Sequence, residues 1–247
     1  MKLSKMLLGL LLSGLFFTSC KKDDASNPAA TVDSNGNLSI DNAADGALYS
    51  VKELIYGDAT SSNVVDESHS AFAWFGKQVP VTLKDAGKVT VNDVELDNIG
   101  GSFAYYMYFG FDQIFPSNAS HWTVEGNSSN GVDGFDYTDN QAYPAGPYFT
   151  LPAKVNINSN FTITHTPING VGGIVYTVIG SLGQKSKAVQ NGASSVTFTP
   201  AEMKAVAYEH DAIGFSIMPV VYTFQMINGK KYYFVKELQY ARETETL

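Results

Sequence analysis

His69, His121, His165 and His210 are the four histidines of this 247-residue chain, and with the acids near them they are the first places to look for chemistry. His69 follows Asp66-Glu67, and His210 stands within Glu209-His210-Asp211, a mixed nitrogen and oxygen set of the kind that holds a divalent metal. Asp133, Asp136 and Asp139 recur at every third position in an Asn- and Gly-rich stretch, which suits calcium, an ion that takes oxygen ligands. The plainer reading of those three is a solvated acidic loop. Asp33-x-Asn35-x-Asn37-x-Ser39-x-Asp41 also alternates oxygen donors, but it lacks the glycine at position six and glutamate at position twelve of an EF-hand loop. Nucleophile elbows, P-loops, dinucleotide-binding glycine patterns and H-E-x-x-H zinc sites do not occur. A carboxylate pair for glycoside hydrolysis is defined in space rather than by spacing, and the acids here fall mostly in loops. The chain reads as a binding protein, not an enzyme.

The most informative stretch is Phe103-Ala104-Tyr105-Tyr106-Met107-Tyr108-Phe109. In a strand, period two sends Phe103, Tyr105, Met107 and Phe109 to one face and Tyr106 and Tyr108 to the other. If the first set is core, the second offers a pair of tyrosines, joined by Trp74 or Trp122. Such a platform stacks on the apolar faces of sugar rings, with Asp and Asn nearby to meet the hydroxyls. The competing reading buries both faces.

At the N-terminus, Lys2 and Lys5 precede an apolar run from Met6 to Phe17, and Thr18-Ser19 lead into Cys20, the one cysteine of the chain. The run is shorter than the ~20 residues a membrane-spanning helix needs. This resembles a lipobox, with Phe17 standing where Leu, Val or Ile is usual. The resemblance implies a signal peptide over 1–19, cleavage before Cys20 and diacylation of its thiol, a membrane anchor through lipid. Lys21-Lys22-Asp23-Asp24 then looks like the surface-export signal of Bacteroidetes lipoproteins, which implies display on the outer face of the outer membrane. The whole arrangement, closing on the run Asn228 to Glu237 (NGKKYYFVKE), is similar to Bacteroidetes surface lipoproteins and brings no activity with it. Haemophore lipoproteins of the same bacteria match in size, compartment and fold class, though no motif aligns. That likeness implies haem or metal acquisition through histidine as the alternative to glycan binding, with a structural envelope component as the second alternative.

Composition narrows the partners. The chain has 16 basic and 24 acidic residues, a net charge of −8, and losing Lys2 and Lys5 with the signal peptide takes it to −10. Arg242 is its single arginine. Nucleic acid and anionic lipid both need basic clusters, and none exists. With no second cysteine there is no disulfide, so stability must come from burial.

The elements that would position these residues read as all-β: short β-branched and aromatic runs separated by Gly, Asn, Asp and Pro. A flexible tether is expected over 20–45, an N-terminal β domain over 46–117 and a C-terminal immunoglobulin-like β-sandwich over 148–247. Residues 118–147 lose periodicity and read as a junction loop between two β-sandwich domains. Asn92-Asp93 and Asn228-Gly229 are expected hairpin turns. Thr199-Pro200-Ala201-Glu202 opens a short helix, with Thr199 as cap and Glu202 closing a capping box, running to about Tyr208.

Overall fold

The computed structural model describes residues 31–32, 38–39, 43–57, 63–78, 81–99, 103–110, 114–115, 117–189 and 192–247. The expected signal peptide over 1–19, Cys20 and Lys21 to Asp24 lie outside the described residues. The fold is an all-β sandwich. Its strands are β1 (Thr31–Val32), β2 (Leu38–Ser39), β3 (Gly46–Tyr56), β4 (Val64–Gln78), β5 (Val81–Leu83), β6 (Val89–Val91), β7 (Val94–Glu95), β8 (Asp97–Asn98), β9 (Ala104–Gly110), β10 (Ser120–Val124), β11 (Phe135–Asp139), β12 (Lys154–Val155), β13 (Phe161–Thr164), β14 (Gly173–Gly180), β15 (Gly183–Val189), β16 (Ser195–Phe198), β17 (Ala212–Ile227) and β18 (Lys230–Thr246). A single-turn helix, α1 (Pro200–Lys204), precedes β17.

One ten-stranded sheet organises the molecule. Its order is β15-β14-β17-β18-β3-β4-β9-β8, with β12 beside β18 and β5 beside β4. The long strands owe their length to the type I′ turn expected at Asn228-Gly229, whose φ angles of 52° and 78° are both positive. That turn pairs β17 with β18 from Ile227↔Lys230 to Ala212↔Glu245. Pro219 sits within β17 and has no N–H to give; the ladder with β18 passes from Ile217 to Val220 around it. β18 then pairs in parallel with β3, Tyr232↔Gly46 through Ala241↔Ile55.

Period two gives this sheet two unlike faces. On the first, Leu48, Ala71, Ala73, Phe75, Tyr105, Tyr232 and Phe234 pack against the four-stranded sheet β11-β10-β6-β7. Further along the same face, Ile174, Tyr176, Ile213, Phe215, Ile217 and Tyr240 pack against the β13–β16 pair, α1 and the segment around Phe149 to Ile157. These two cappings are the two sandwich-like halves, and they share one sheet. β18 serves both, since Tyr232 and Phe234 enter one core and Tyr240 the other.

Two expectations about the connecting segments need correction. Residues 118–147 are not a structureless junction: β10 and β11 form an antiparallel pair there, Ser120↔Asp139 to Val124↔Phe135. Glycines and asparagines concentrated in the turn between them hid the alternation of Ser120, Trp122 and Val124, which are all buried. The segment after β11 is also held, because a Cβ at Gly146 would fall 1.6 Å from the Tyr240 ring, so only glycine allows the approach. The tether, likewise, contains the antiparallel pair β1–β2, and β2 runs beside β14.

Local signals held where they were strongest. Asn92 and Asp93 have φ of 46° and 67° between β6 and β7. Thr199 accepts from the Glu202 backbone and Glu202 reciprocates, completing the capping box, although the helix stops at Lys204, short of Tyr208.

Candidate functional site

The second face of the ten-stranded sheet carries the candidate site. Residues paired in register point to the same side, so the ladders place Tyr222, Val235, Tyr49, Phe72 and Tyr106 in one row across β17, β18, β3, β4 and β9. The neighbouring row reads Phe224, Tyr233, Ala47, Trp74 and Ala104, and the row on the other side reads Val220, Glu237, Val51, Ser70 and Tyr108. Gln239, Glu53 and Ser68 follow. An aromatic field thus grades into a polar border within about two residue spacings, or roughly 7 Å along the strands.

The aromatic strand β9 divides as period two requires. Tyr105 is 2 % exposed and faces the first core, edge-on to Phe75 at 5.8 Å. Its hydroxyl donates to Asp85 Oδ1 at 2.8 Å and accepts from the Ala86 N–H at 2.7 Å. Tyr106 and Tyr108 lie half-buried on the opposite face. Burial pushes the Tyr106 hydroxyl up to about 12, with Tyr108 and the Glu53 carboxylate adding to it. Phe103 departs from the pattern: it sits ahead of β9 at φ 57° and is 38 % exposed, so the left-handed backbone there takes it out of the alternation.

The two tryptophans part company. Trp74 shares the face of Tyr106, opposite Ala104, and is buried there with Tyr49 and Tyr233. Its Nε1 and the Tyr49 hydroxyl are both buried, and the Trp74 side chain helps to hold that hydroxyl. Trp122 does not join the platform. It is 1 % exposed and lies inside the first core, because the alternation of β10 turns Ser120, Trp122 and Val124 inward.

The polar border is anchored from within the sheet. Glu53 is 3 % exposed; Ser68 Oγ donates to its Oε2 at 3.1 Å and Gln239 Nε2 to its Oε1 at 3.0 Å. Burial raises its carboxyl to about 7, with the Asp66 charge adding to the rise and the Ser68 bond opposing it. Glu237 stands between Val220 and Val51, partly exposed, and burial of its surroundings raises it to about 7 as well. Its charge in turn adds to the rise of the Tyr49 hydroxyl, which burial dominates.

The three aspartates considered for calcium are not brought together. Asp133 pairs with Lys230 Nζ at 2.7 Å. Asp136 accepts from Thr123 Oγ1 at 3.1 Å and lies 3.3 Å from His121 Nε2. Asp139 pairs with the buried Lys236. Asp136 and Asp139 are an odd number of residues apart on β11 and therefore point to opposite faces. Among the described residues no group of three His, Cys, Asp or Glu is placed to share a metal.

Three of the four histidines, His69, His121 and His165, are likewise occupied by protein. His69 is buried, with Nε2 2.8 Å from Glu67 Oε1 and Nδ1 accepting the Phe115 N–H at 3.1 Å; burial lowers its pKa. His165 meets the Thr166 carbonyl at 2.7 Å and the Tyr176 hydroxyl at 2.5 Å. His121 lies 2.9 Å from Thr138 Oγ1. Within Glu209-His210-Asp211, Glu209 accepts from Asn158 Nδ2 at 3.0 Å and Asp211 from Ser181 Oγ and the Tyr208 N–H.

Sequence reasoning missed the depth of the site. Tyr49, Phe72, Tyr222 and Tyr233 join Tyr106 only through pairing of distant strands, and nothing local marks Glu53 and Glu237 as sharing a face. No protein-family model matches the chain, and no curated protein matches it either.

Proposed function

We propose that the chain is a non-enzymatic, lipid-anchored binding or adhesion module displayed at the outer membrane surface, and that its aromatic sheet face captures a glycan. One observation carries the ligand class: the half-buried Tyr106 and Tyr108 share a face with the half-buried Phe72, and the partly exposed Glu237 stands on that face with two strands between it and Tyr108. Ring faces supply stacking surface for the C–H faces of a sugar, and the tyrosine hydroxyls and the Glu237 carboxylate supply partners for its hydroxyls. Anchoring rests on Cys20 and its flanking sequence.

The test is a glycan array probed with the full chain, repeated with Tyr106→Ala and Tyr108→Ala. Binding by the parent chain that falls at least tenfold in both variants is expected. Glycan binding unaffected by either substitution would remove the platform, and an array without any bound glycan would remove the ligand class. For the haem alternative, the three occupied histidines offer less, and absence of a Soret band after growth with haem is expected.

A further inference from the structure

Lys236 sits where the two cores of the large sheet meet. It shares the first face of β18 with Phe234, which enters one core, and Tyr240, which enters the other. Lys236 and Asp139, the last residue of β11, are both buried, and Nζ lies 3.5 Å from Asp139 Oδ2. The same nitrogen donates to the Asp139 backbone carbonyl at 3.1 Å and to that of Asn118, so two contacts hold it against residue 139. The other carboxyl oxygen, Oδ1, accepts the Gln141 N–H at 3.0 Å. Ser50 pairs in register with Lys236 and Ser120 with Asp139, and their hydroxyls meet at 2.8 Å.

Two opposite charges in a dry seam are costly to keep. Passing one proton from the ammonium to the carboxylate leaves an amine beside a carboxylic acid, a nucleophile beside an electrophile. Burial lowers the Lys236 pKa, with the Lys52 charge adding to the fall and Asp139 opposing it, and burial raises the Asp139 pKa. Both groups are thereby moved toward the neutral forms. Well-oriented partners within one molecule reach effective concentrations on the order of 10⁵–10⁸ M, and exclusion of water protects the product from hydrolysis.

We infer that Lys236 and Asp139 condense in the folded chain to an isopeptide bond, a covalent staple between β18 and β11. Nζ attacks Cγ and the C–N bond forms. The displaced electron pair moves onto Oδ1, where the Gln141 N–H holds the developing charge. Its return breaks the Cγ–Oδ2 bond, and Oδ2 leaves as water with the acid's own proton and one from Nζ. An ammonium and a carboxylate thus become one amide and one water, and no oxidant, reductant or co-reactant is consumed. A freshly folded chain holds the ion pair, and the amide is its slow product. The bond spans 97 positions of sequence in a chain whose one cysteine leaves it no internal disulfide, and a cross-link of that reach constrains the unfolded state strongly.

The deciding experiment digests the full chain after several days folded at growth temperature and weighs the peptides. A branched peptide is expected that joins the segment bearing Lys236 to the segment bearing Asp139 and weighs one water molecule less than their sum. It should rise from the fresh to the aged chain until at least half of all copies carry it. Chain kept in concentrated urea for the same time should form none, because unfolding separates the pair. Lys236→Arg keeps the positive charge but does not condense, so it should retain its full mass. Absence of the branched peptide from the aged, folded parent overturns the inference and leaves a plain ion pair. A water lost elsewhere, as by ring closure at Asp133-Gly134, gives no branch and overturns it too, as does a branch that forms equally in urea.

Discussion

Lys236 Nζ lies 3.5 Å from Asp139 Oδ2, and both side chains are almost wholly buried. The same ammonium donates to the backbone carbonyls of Asn118 and Asp139, so it ties both ends of the β10–β11 hairpin to the central strand of the ten-stranded sheet. Ser50 and Ser120 join across the same seam at 2.8 Å, and the Tyr143 ring lies between Lys52 and Lys236 at 4.9 and 5.2 Å. Burial lowers the Lys236 pKa and raises that of Asp139, with their mutual attraction opposing both shifts.

Removing one member of this pair should therefore cost more than removing both. Lys236→Met leaves Asp139 buried beside apolar surface, and about 3 kcal/mol of lost stability is expected. The double variant Lys236→Met, Asp139→Asn should recover at least half of that. Denaturant midpoints decide it, and a single variant as stable as the parent would show that the clamp contributes nothing.

The tyrosines of β9 should separate by face. Tyr105→Ala is expected to cost about 3 kcal/mol through lost core packing, and Tyr105→Phe about 1 kcal/mol through its bonds to Asp85 and Ala86. Tyr106→Ala and Tyr108→Ala should each stay within about 1 kcal/mol, being half-buried on the other side. Equal destabilisation by all three would make Tyr106 and Tyr108 packing residues and withdraw the platform.

Glu53 gives a pH signature of definite sign. Its folded pKa is raised from 4.5 to about 7 by burial, so folding favours the protonated form. That contribution is complete below about pH 4.5 and is lost as pH rises through 7. Relative to Glu53→Gln, the parent should lose about 2–3 kcal/mol of stability between pH 4.5 and 8. Parallel stability curves for the two proteins would show that Glu53 titrates at its ordinary value.

Anchoring is tested at one atom. With Cys20→Ser, the chain should move from the detergent-rich to the aqueous phase on phase separation, because acyl chains contribute about 0.8 kcal/mol per buried CH₂. Unchanged partitioning would exclude lipid on this cysteine. Replacing Asp23 and Asp24 by Ala should lower labelling on intact cells while leaving partitioning as it was.

Features that depend on a few consecutive residues could be read before the fold was known. Asn92-Asp93 and Asn228-Gly229 adopt positive φ as their chemistry suggests, Thr199 and Glu202 close the capping box, and period two separates Tyr105 from Tyr106 whatever surrounds them. These rest on local sterics and local hydrogen bonds, which travel with the sequence. Tertiary structure alone decided that β18 pairs in parallel with β3, bringing Glu237 opposite Val51 across 186 positions of chain. It also turned Trp122 into the first core, drew Asp133, Asp136 and Asp139 to three different partners, and set Glu53 beside Gln239. A strand carries the same alternation whichever neighbour it finds, so the choice of neighbour, and with it the composition of each face, is made by burial summed over the whole sheet.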